Sequence, residues 1–320
     1  MSRRHWVAQH ASNTPCEDAM VVSDAAPGTF AAVFDGHGGP EVALFAAAHL
    51  LQKFTGRYEP AAVPKVGGSS SGLEAIRAKF FQSGVAAAPP SSGPNDPAEQ
   101  LAGAVLDCDR QWLKQHAAKQ AGSRRLSRVG ACALACYCEG DKMVVANAGD
   151  CRGVVGRRRP LNSDEVSYDA VAISRDHTAD DERERRKVGR RTQDPRPLRS
   201  TVNSHVINYD LPLRVAGSLM VTRALGDAYL KVAALSTSPF AQYCPYITAE
   251  PEMYTHQISA RDDFIILASD GIWDHLSNEE AVQLVGLHLQ TVARPDDSTR
   301  KHARTHARTH AQPCVLTLPL

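Results

Sequence analysis

The 320-residue sequence predicts an α+β fold in which helices pack on antiparallel sheet, and three observations carry the prediction. Apolar residues at 131–138 and 143–146 flank Glu139-Gly140-Asp141, which is the pattern of a β-hairpin. Apolar residues recur at helical spacing at Val42, Phe45 and Ala46, at Leu101, Val105, Cys108 and Trp112, and at Val282, Val285 and Leu289. Two further apolar runs, 30–34 and 264–268, close on an aspartate followed by glycine, directly in the first and after Ser269 in the second, as a buried strand does at a turn.

Taken in order, residues 30–34 form a buried strand and Asp35-Gly36-His37-Gly38-Gly39-Pro40 a glycine-rich turn. A helix follows over 41–54 with Pro40 suited to its first turn. Residues 56–97 are rich in Pro, Gly and Ser and predict a long surface loop carrying one short helix at 73–81. Asn95-Asp96-Pro97 opens the next helix, which ends near Ala121-Gly122. After the hairpin, 152–155 predicts a third strand, and the β-branched, apolar run 170–174 continues the sheet. The charged region 178–213 has helical character at 180–187. Arg183, Arg185, Arg186, Lys187, Arg190 and Arg191 cluster there, either as a solvated face or as a docking patch for an acidic or phosphorylated substrate. Ser277-Asn278-Glu279-Glu280 is a capping box for the last helix. Beyond about residue 294 the chain enters a His-Ala-Arg-Thr repeat, so the expected organisation is a domain over 1–294 and a low-complexity, disordered tail over 295–320. His302, His306 and His310 read as an accidental repeat rather than a metal site.

Lys and Arg total 36 against 35 Asp and Glu, which gives no basic field for nucleic acid. The apolar runs fall short of the ~20 residues that span a bilayer, and Met1-Ser-Arg-Arg-His-Trp lacks the apolar core of a secretory signal. The expectation is a soluble intracellular protein, a monomer in the cytoplasm or nucleus. Arg3 and Arg4 could begin a mitochondrial presequence, but the motifs start by Asn13 and leave little room for one. The eight cysteines show no CxxC spacing, in keeping with a reducing compartment; Cys132, Cys136 and Cys138 share one face of a strand and read as packing.

Three apolar runs deliver a carboxylate at a glycine corner: Phe34-Asp35-Gly36, Asn147-Ala148-Gly149-Asp150 and Ser269-Asp270-Gly271. A strand fixes its last residue, and the adjacent glycine lets backbone approach a ligand. One Asp-Gly alone reads as a turn. Jointly, and with Glu17-Asp18, these acids make an oxygen-rich set suited to Mg²⁺ or Mn²⁺ rather than zinc.

The order Asn13-Thr-Pro-Cys-Glu17-Asp18, Phe34-Asp35-Gly36-His37-Gly38-Gly39, Ala146-Asn147-Ala-Gly149-Asp150-Cys-Arg152, Ser174-Arg-Asp176-His177, Thr222-Arg223-Ala-Leu-Gly226-Asp227 and Ser269-Asp270-Gly271-Ile-Trp273 resembles the successive signatures of type 2C metal-dependent serine/threonine protein phosphatases. That resemblance implies a four-layer αββα sandwich of two antiparallel sheets flanked by helices, with a binuclear Mg²⁺ or Mn²⁺ centre at one end. It implies hydrolysis of phosphoserine and phosphothreonine in proteins by water that the metals activate. Carried over by position, Asp35 bridges the two ions, the Gly36 carbonyl and Asp270 each serve one of them, and Glu17 and Asp18 hold waters of the centre. Asp150 helps hold a weaker third ion, His37 protonates the leaving oxygen, and Arg223 and Asp227 are expected to be mainly structural. Where most members carry an arginine that grips the substrate phosphate, this chain has Asn13, a weaker and uncharged donor. Asn13 and Gly226-Asp-Ala-Tyr-Leu-Lys231 are similar to pyruvate dehydrogenase phosphatases and to a related plant group, which raises the mitochondrial matrix as a location.

The resemblance also implies one more aspartate ligand, in an Asp-Asn motif before a final strand. Asp296-Asp297 comes too early and leads into the repeat, so the expectation is a chain lacking that ligand and that strand. The alternative to an active phosphatase is therefore a weak or inactive phosphatase-like binding or regulatory module, a truncated or misassembled product. A small-molecule phosphatase on another fold is disfavoured, because no DxDxT segment or phosphate-cradling P-loop is present.

Overall fold

The computed structural model describes residues 6–8, 16–24, 28–56, 96–117, 125–159, 167–200, 212–293 and 315–319. In chain order these form β1 (Trp6–Ala8), β2 (Ala19–Ser23), β3 (Thr29–His37), α1 (Glu41–Thr55), α2 (Pro97–Trp112), β4 (Gly130–Glu139), β5 (Lys142–Ala148), β6 (Arg152–Arg158) and β7 (Tyr168–Ala172). They continue with α3 (Glu182–Arg191), the two-residue strands β8 (Leu198–Arg199), β9 (Arg214–Val215) and β10 (Leu225–Gly226), and the single turn α4 (Ala228–Lys231). The last are β11 (Glu252–Gln257), β12 (Asp262–Ala268), the single turn α5 (Asp270–Trp273), α6 (Asn278–Ala293) and β13 (Val315–Pro319).

Side-chain alternation along the strands sorts the core into layers. On β3, Phe30, Ala32 and Phe34 pack with Val42, Phe45 and Leu50 of α1 and with Leu101, Val105 and Trp112 of α2. The intervening Ala31 and Val33 face the other way, into a core shared with Leu134, Cys136, Val145, Val155, Ile265 and Leu267. On β12 the same alternation sends Phe264, Ile266 and Ala268 outward against Trp273, Ala281 and Val282. Two sheets thus face each other and each is covered by helices, giving the expected αββα sandwich. One sheet runs β11-β5-β4-β3-β2 with β10 added on β4, and the other runs β1-β13-β12-β6-β7; a two-stranded β8-β9 ribbon lies apart.

Helix starts follow their sequence signals. The Asp96 side chain accepts from the Ala98 backbone N–H at 3.2 Å, with Pro97 at the first helical position. Glu280 N–H donates to Ser277 Oγ at 3.2 Å while Ser277 N–H donates to Glu280 Oε2 at 2.9 Å, a reciprocal capping box. Cys132, Cys136 and Cys138 are buried in the core between the sheets, as packing residues. The helix expected at 180–187 runs over Glu182–Arg191, and most of its basic cluster is consumed at home. Arg183 pairs with Asp181, Arg186 with Glu182 and Lys187 with Glu184, while Arg185 and Arg191 donate to backbone carbonyls. A solvated, internally neutralised helix fits these contacts better than a docking patch.

Two expectations are corrected. The glycine-rich turn does not begin at Asp35, because β3 stays in the sheet through His37, pairing Asp35 with Cys132, Gly36 with Ala131 and His37 with Gly130. The turn starts at Gly38, where φ is +70°. The final strand is not missing either: β13 inserts between β12 and β1, with Leu316 opposite both Leu267 and Val7. Its short Val-Leu-Thr-Leu run follows a low-complexity repeat, which hid it as a strand signal. The helix expected at 73–81, the end of α2's continuation near 121–122, Asp296-Asp297 and the histidine repeat lie outside the described residues.

Candidate metal centre

Strand register alone gathers the acids. Ala19 of β2 pairs with Phe34 of β3, so the next steps of that ladder set Asp18 beside Asp35 and Glu17 beside Gly36. A Cβ at position 36 would lie 2.2 Å from the Glu17 carbonyl oxygen, which is why this crossing takes a glycine. In the other sheet Ala268 pairs with Arg152, and continuing the ladder past both strand ends brings Asp270 toward Asp150. One oxygen from each of Asp35, Asp150 and Asp270 lies within 4.8 Å of the others.

The turn carrying Asp150 is held from behind. Gly149 N–H donates to His177 Nδ1 at 3.3 Å and His177 N–H donates to the Gly149 carbonyl at 2.9 Å. With Nδ1 accepting, the ring proton sits on Nε2, which donates to Glu252 Oε2 at 3.1 Å. Burial first, and then the Arg223 charge, hold the His177 pKa below its ordinary value, in keeping with a neutral ring. Asn147 Nδ2 completes the support by donating to the Gly149 and Arg175 carbonyls.

Left to themselves these acids are a costly arrangement. Asp35 is pushed up to about 10, by burial first and then by the negative charges of Asp18, Asp270 and Asp150. Asp150 is pushed up to about 6, again by burial and then by Asp270, and its Oδ1 is buried with no hydrogen-bond partner among the described residues. Burial also raises Glu17, against the opposing influence of His37. A divalent cation would reverse each of these penalties, and carboxylate and carbonyl donors suit Mg²⁺ or Mn²⁺. The nearby Cys132 thiol is no rival ligand, since burial and then Asp150 raise its pKa and keep it protonated. A second convergent set, His177, Glu184 and Glu252, is already neutralised by cations of the chain. Arg223 grips Glu184 through Nε at 3.1 Å and Nη2 at 2.9 Å, and Lys187 Nζ lies 2.8 Å from Glu184 Oε1. Arg223 is thus held in a buried ion pair with Glu184.

His37 projects from the end of β3 beside this centre, with its side chain 27% exposed. Its Nε2 lies 2.7 Å from Oδ2 of Asp227, a residue with no exposed surface. Burial opposes charge on His37, but Asp227 outweighs it and leaves the pKa raised. The sequence motif alone points to a mainly structural Asp227. The two residues are 190 positions apart, so spacing alone could not join them. Asn13 lies outside the described residues.

Two facing antiparallel sheets clad in helices, with a carboxylate cluster at the strand ends, define an αββα protein with a candidate centre for hard cations. The chain matches the model of the protein phosphatase 2C family over residues 1–312, and it belongs to that family. It is 30% identical over 296 residues to Probable protein phosphatase 2C 78 of Oryza sativa subsp. japonica, covering 89% of this chain and 64% of the relative. It is 32% identical over 267 residues to Probable protein phosphatase 2C 67 of Arabidopsis thaliana, covering 81% and 60%. The chain therefore spans less than two thirds of the length of these curated relatives. Among solved structures it resembles serine-threonine phosphatase 2C from Toxoplasma gondii, with a TM-score of 0.62 at 15% identity over 99% of this chain and 94% of that one. It also resembles a C. elegans sex determining protein, with a TM-score of 0.59 at 23% identity over 99% and 64%. These likenesses establish the fold. Among the described residues no helix is long and apolar enough to cross a membrane.

Proposed function

We propose that this chain removes phosphate from phosphoserine and phosphothreonine in proteins, using Mg²⁺ or Mn²⁺. The observation that carries the reading is the cluster of Asp35, Asp150 and Asp270, whose buried, mutually repelling carboxylates call for cationic charge. Asp35, the Gly36 carbonyl and Asp270 would hold two cations, Glu17 and Asp18 would orient water around them, and Asp150 would serve a weaker third. Bound there, the cations supply Lewis-acid charge to the phosphate and make water a nucleophile at neutral pH. His37 lies at the edge of the cluster and gives a proton to the leaving serine or threonine oxygen. Asn13 contributes an uncharged contact to the phosphate. The partner is a phosphorylated protein, the acting form a monomer, and the setting the interior of the cell.

The test is release of phosphate from a phosphothreonine peptide by the purified chain with Mn²⁺, and again with excess chelator. Mn²⁺-dependent release is expected. Absence of release at any Mn²⁺ concentration, or release untouched by chelator, would overturn the reading.

A further inference from the structure

We infer that Asp227 is a positioning residue for His37: by accepting from Nε2–H it turns Nδ1 toward the leaving oxygen. The inference rests on the phosphatase reading above, in which His37 is the proton donor.

The ladder builds this contact. His37 pairs with Gly130 of β4, and Gly226 of β10 pairs with the same Gly130 from its other side. Asp227, next after Gly226, therefore reaches across Gly130 to the histidine. A side chain on Gly130 would abolish the contact, since its Cβ would lie 2.1 Å from Asp227 Oδ2 and 2.3 Å from His37 Nε2. A carboxylate only accepts, so Nε2 carries a proton in this pair, and no described residue bonds Nδ1. Asp227 is anchored in turn, its N–H donating to the Val129 carbonyl at 2.9 Å and its carbonyl accepting from Leu230 N–H at 2.9 Å.

The fold gives up stability for this arrangement. Asp227 has φ +47°, one of two non-glycine residues with positive φ among those described. Its carboxylate is fully buried, and Oδ1 has no hydrogen-bond partner among the described residues. Left-handed backbone on a non-glycine residue is unfavourable, and a buried unpaired polar atom adds to that cost. A purely structural corner would be better served by glycine. What aspartate adds is a fixed orientation for the imidazole.

The experiment compares wild type, Asp227→Asn, His37→Gln and the double variant on a phosphothreonine peptide and on an aryl phosphate, whose leaving group needs little protonation. Asp227→Asn should slow the peptide roughly 10- to 100-fold and the aryl phosphate less than about threefold. Added to His37→Gln, it should cost less than about twofold more on the peptide, because the two residues act as a unit. Should Asp227→Asn fail to fold, Gly130→Ala, which separates the pair while keeping both, should give the same leaving-group selectivity. A folded variant that slows both substrates equally, or losses that multiply in the double variant, would overturn the assignment. An independent readout needs no turnover. Wild type should show a strongly downfield Nε2–H resonance, absent in both His37→Gln and Asp227→Asn; its absence from wild type would refute the contact even if the chain proved inactive. Wild-type turnover separately decides the phosphatase reading.

Discussion

Ser269 Oγ donates to Asp18 Oδ2 at 3.2 Å, a bond between residues 251 positions apart that ties the end of β12 to the segment entering β2. Strands β2 and β12 belong to opposite sheets, so the bond between the residues that flank them helps fix how the sheets meet at the carboxylate cluster. Hydrogen bonds that orient ligand carboxylates typically matter about 10- to 100-fold in metal affinity. Ser269→Ala is expected to weaken Mn²⁺ binding about tenfold, read by calorimetry, while the melting temperature in chelator barely moves. Unchanged affinity would place Asp18 outside the metal's surroundings.

Asp35 separates a ligand role from a packing role by the sign of its effect. Metal-free, its carboxylate is buried among Asp18, Asp150 and Asp270, so neutralising it should relieve repulsion and desolvation. Asp35→Asn should raise stability in chelator by about 1–3 kcal/mol. In Mn²⁺ the order should reverse, since wild type gains stability from the bound ion and the variant gains little. Thermal melts with and without Mn²⁺ give the comparison, and a variant destabilised in chelator would mark Asp35 as a packing residue.

Arg223 and Asp227 share one motif and should fail differently. Arg223 makes a two-point contact with Glu184, and its Nη1 donates to the Glu250 carbonyl at 3.0 Å. Lysine cannot reproduce that fork. Arg223→Lys should cost about 3 kcal/mol in urea unfolding. Its ratio of peptide to aryl phosphate turnover should stay at the wild-type value, unlike that of Asp227→Asn.

The parts of the fold legible in sequence were those with local periodicity. The apolar run 131–138 is buried on both faces and the stripe Leu101, Val105, Cys108 and Trp112 buries one face of α2, and each pattern is visible in a few residues. Strand β11, Glu-Met-Tyr-Thr-His-Gln, was not legible because it is a half-exposed edge strand with little apolar contrast. At the centre, Asp35, Asp150 and Asp270 stood out through the glycine beside each. Asp227 also follows a glycine but closes no long apolar run, so its Gly226-Asp227 corner takes on meaning only when β10 is laid against β4 beside His37. The positive φ at Asp227 belongs to the same corner and is likewise a property of the folded chain.

Asp262 supplies a prediction in pH. It opens β12 where the pairing with β6 shifts register, and its side chain is fully buried. Arg157 Nε donates to Oδ1 at 2.6 Å, while Ser259 N–H, Ser259 Oγ and His256 Nε2 lie 2.9, 3.0 and 3.1 Å from Oδ2. Burial alone would raise its pKa, but Arg157 and these further bonds outweigh it and hold the carboxyl well below the ordinary range. The folded chain therefore binds fewer protons here than the unfolded chain. Its contribution is fully present above the unfolded pKa of about 4 and is lost as pH falls through that value toward the lower folded one. Asp262→Asn should lose roughly 2 kcal/mol at pH 7. The gap between the two proteins in urea unfolding should narrow steadily below about pH 4 as wild type loses the same contribution. A gap that stays constant down to about pH 3 would mean that the substitution acts through packing and not through the buried charge.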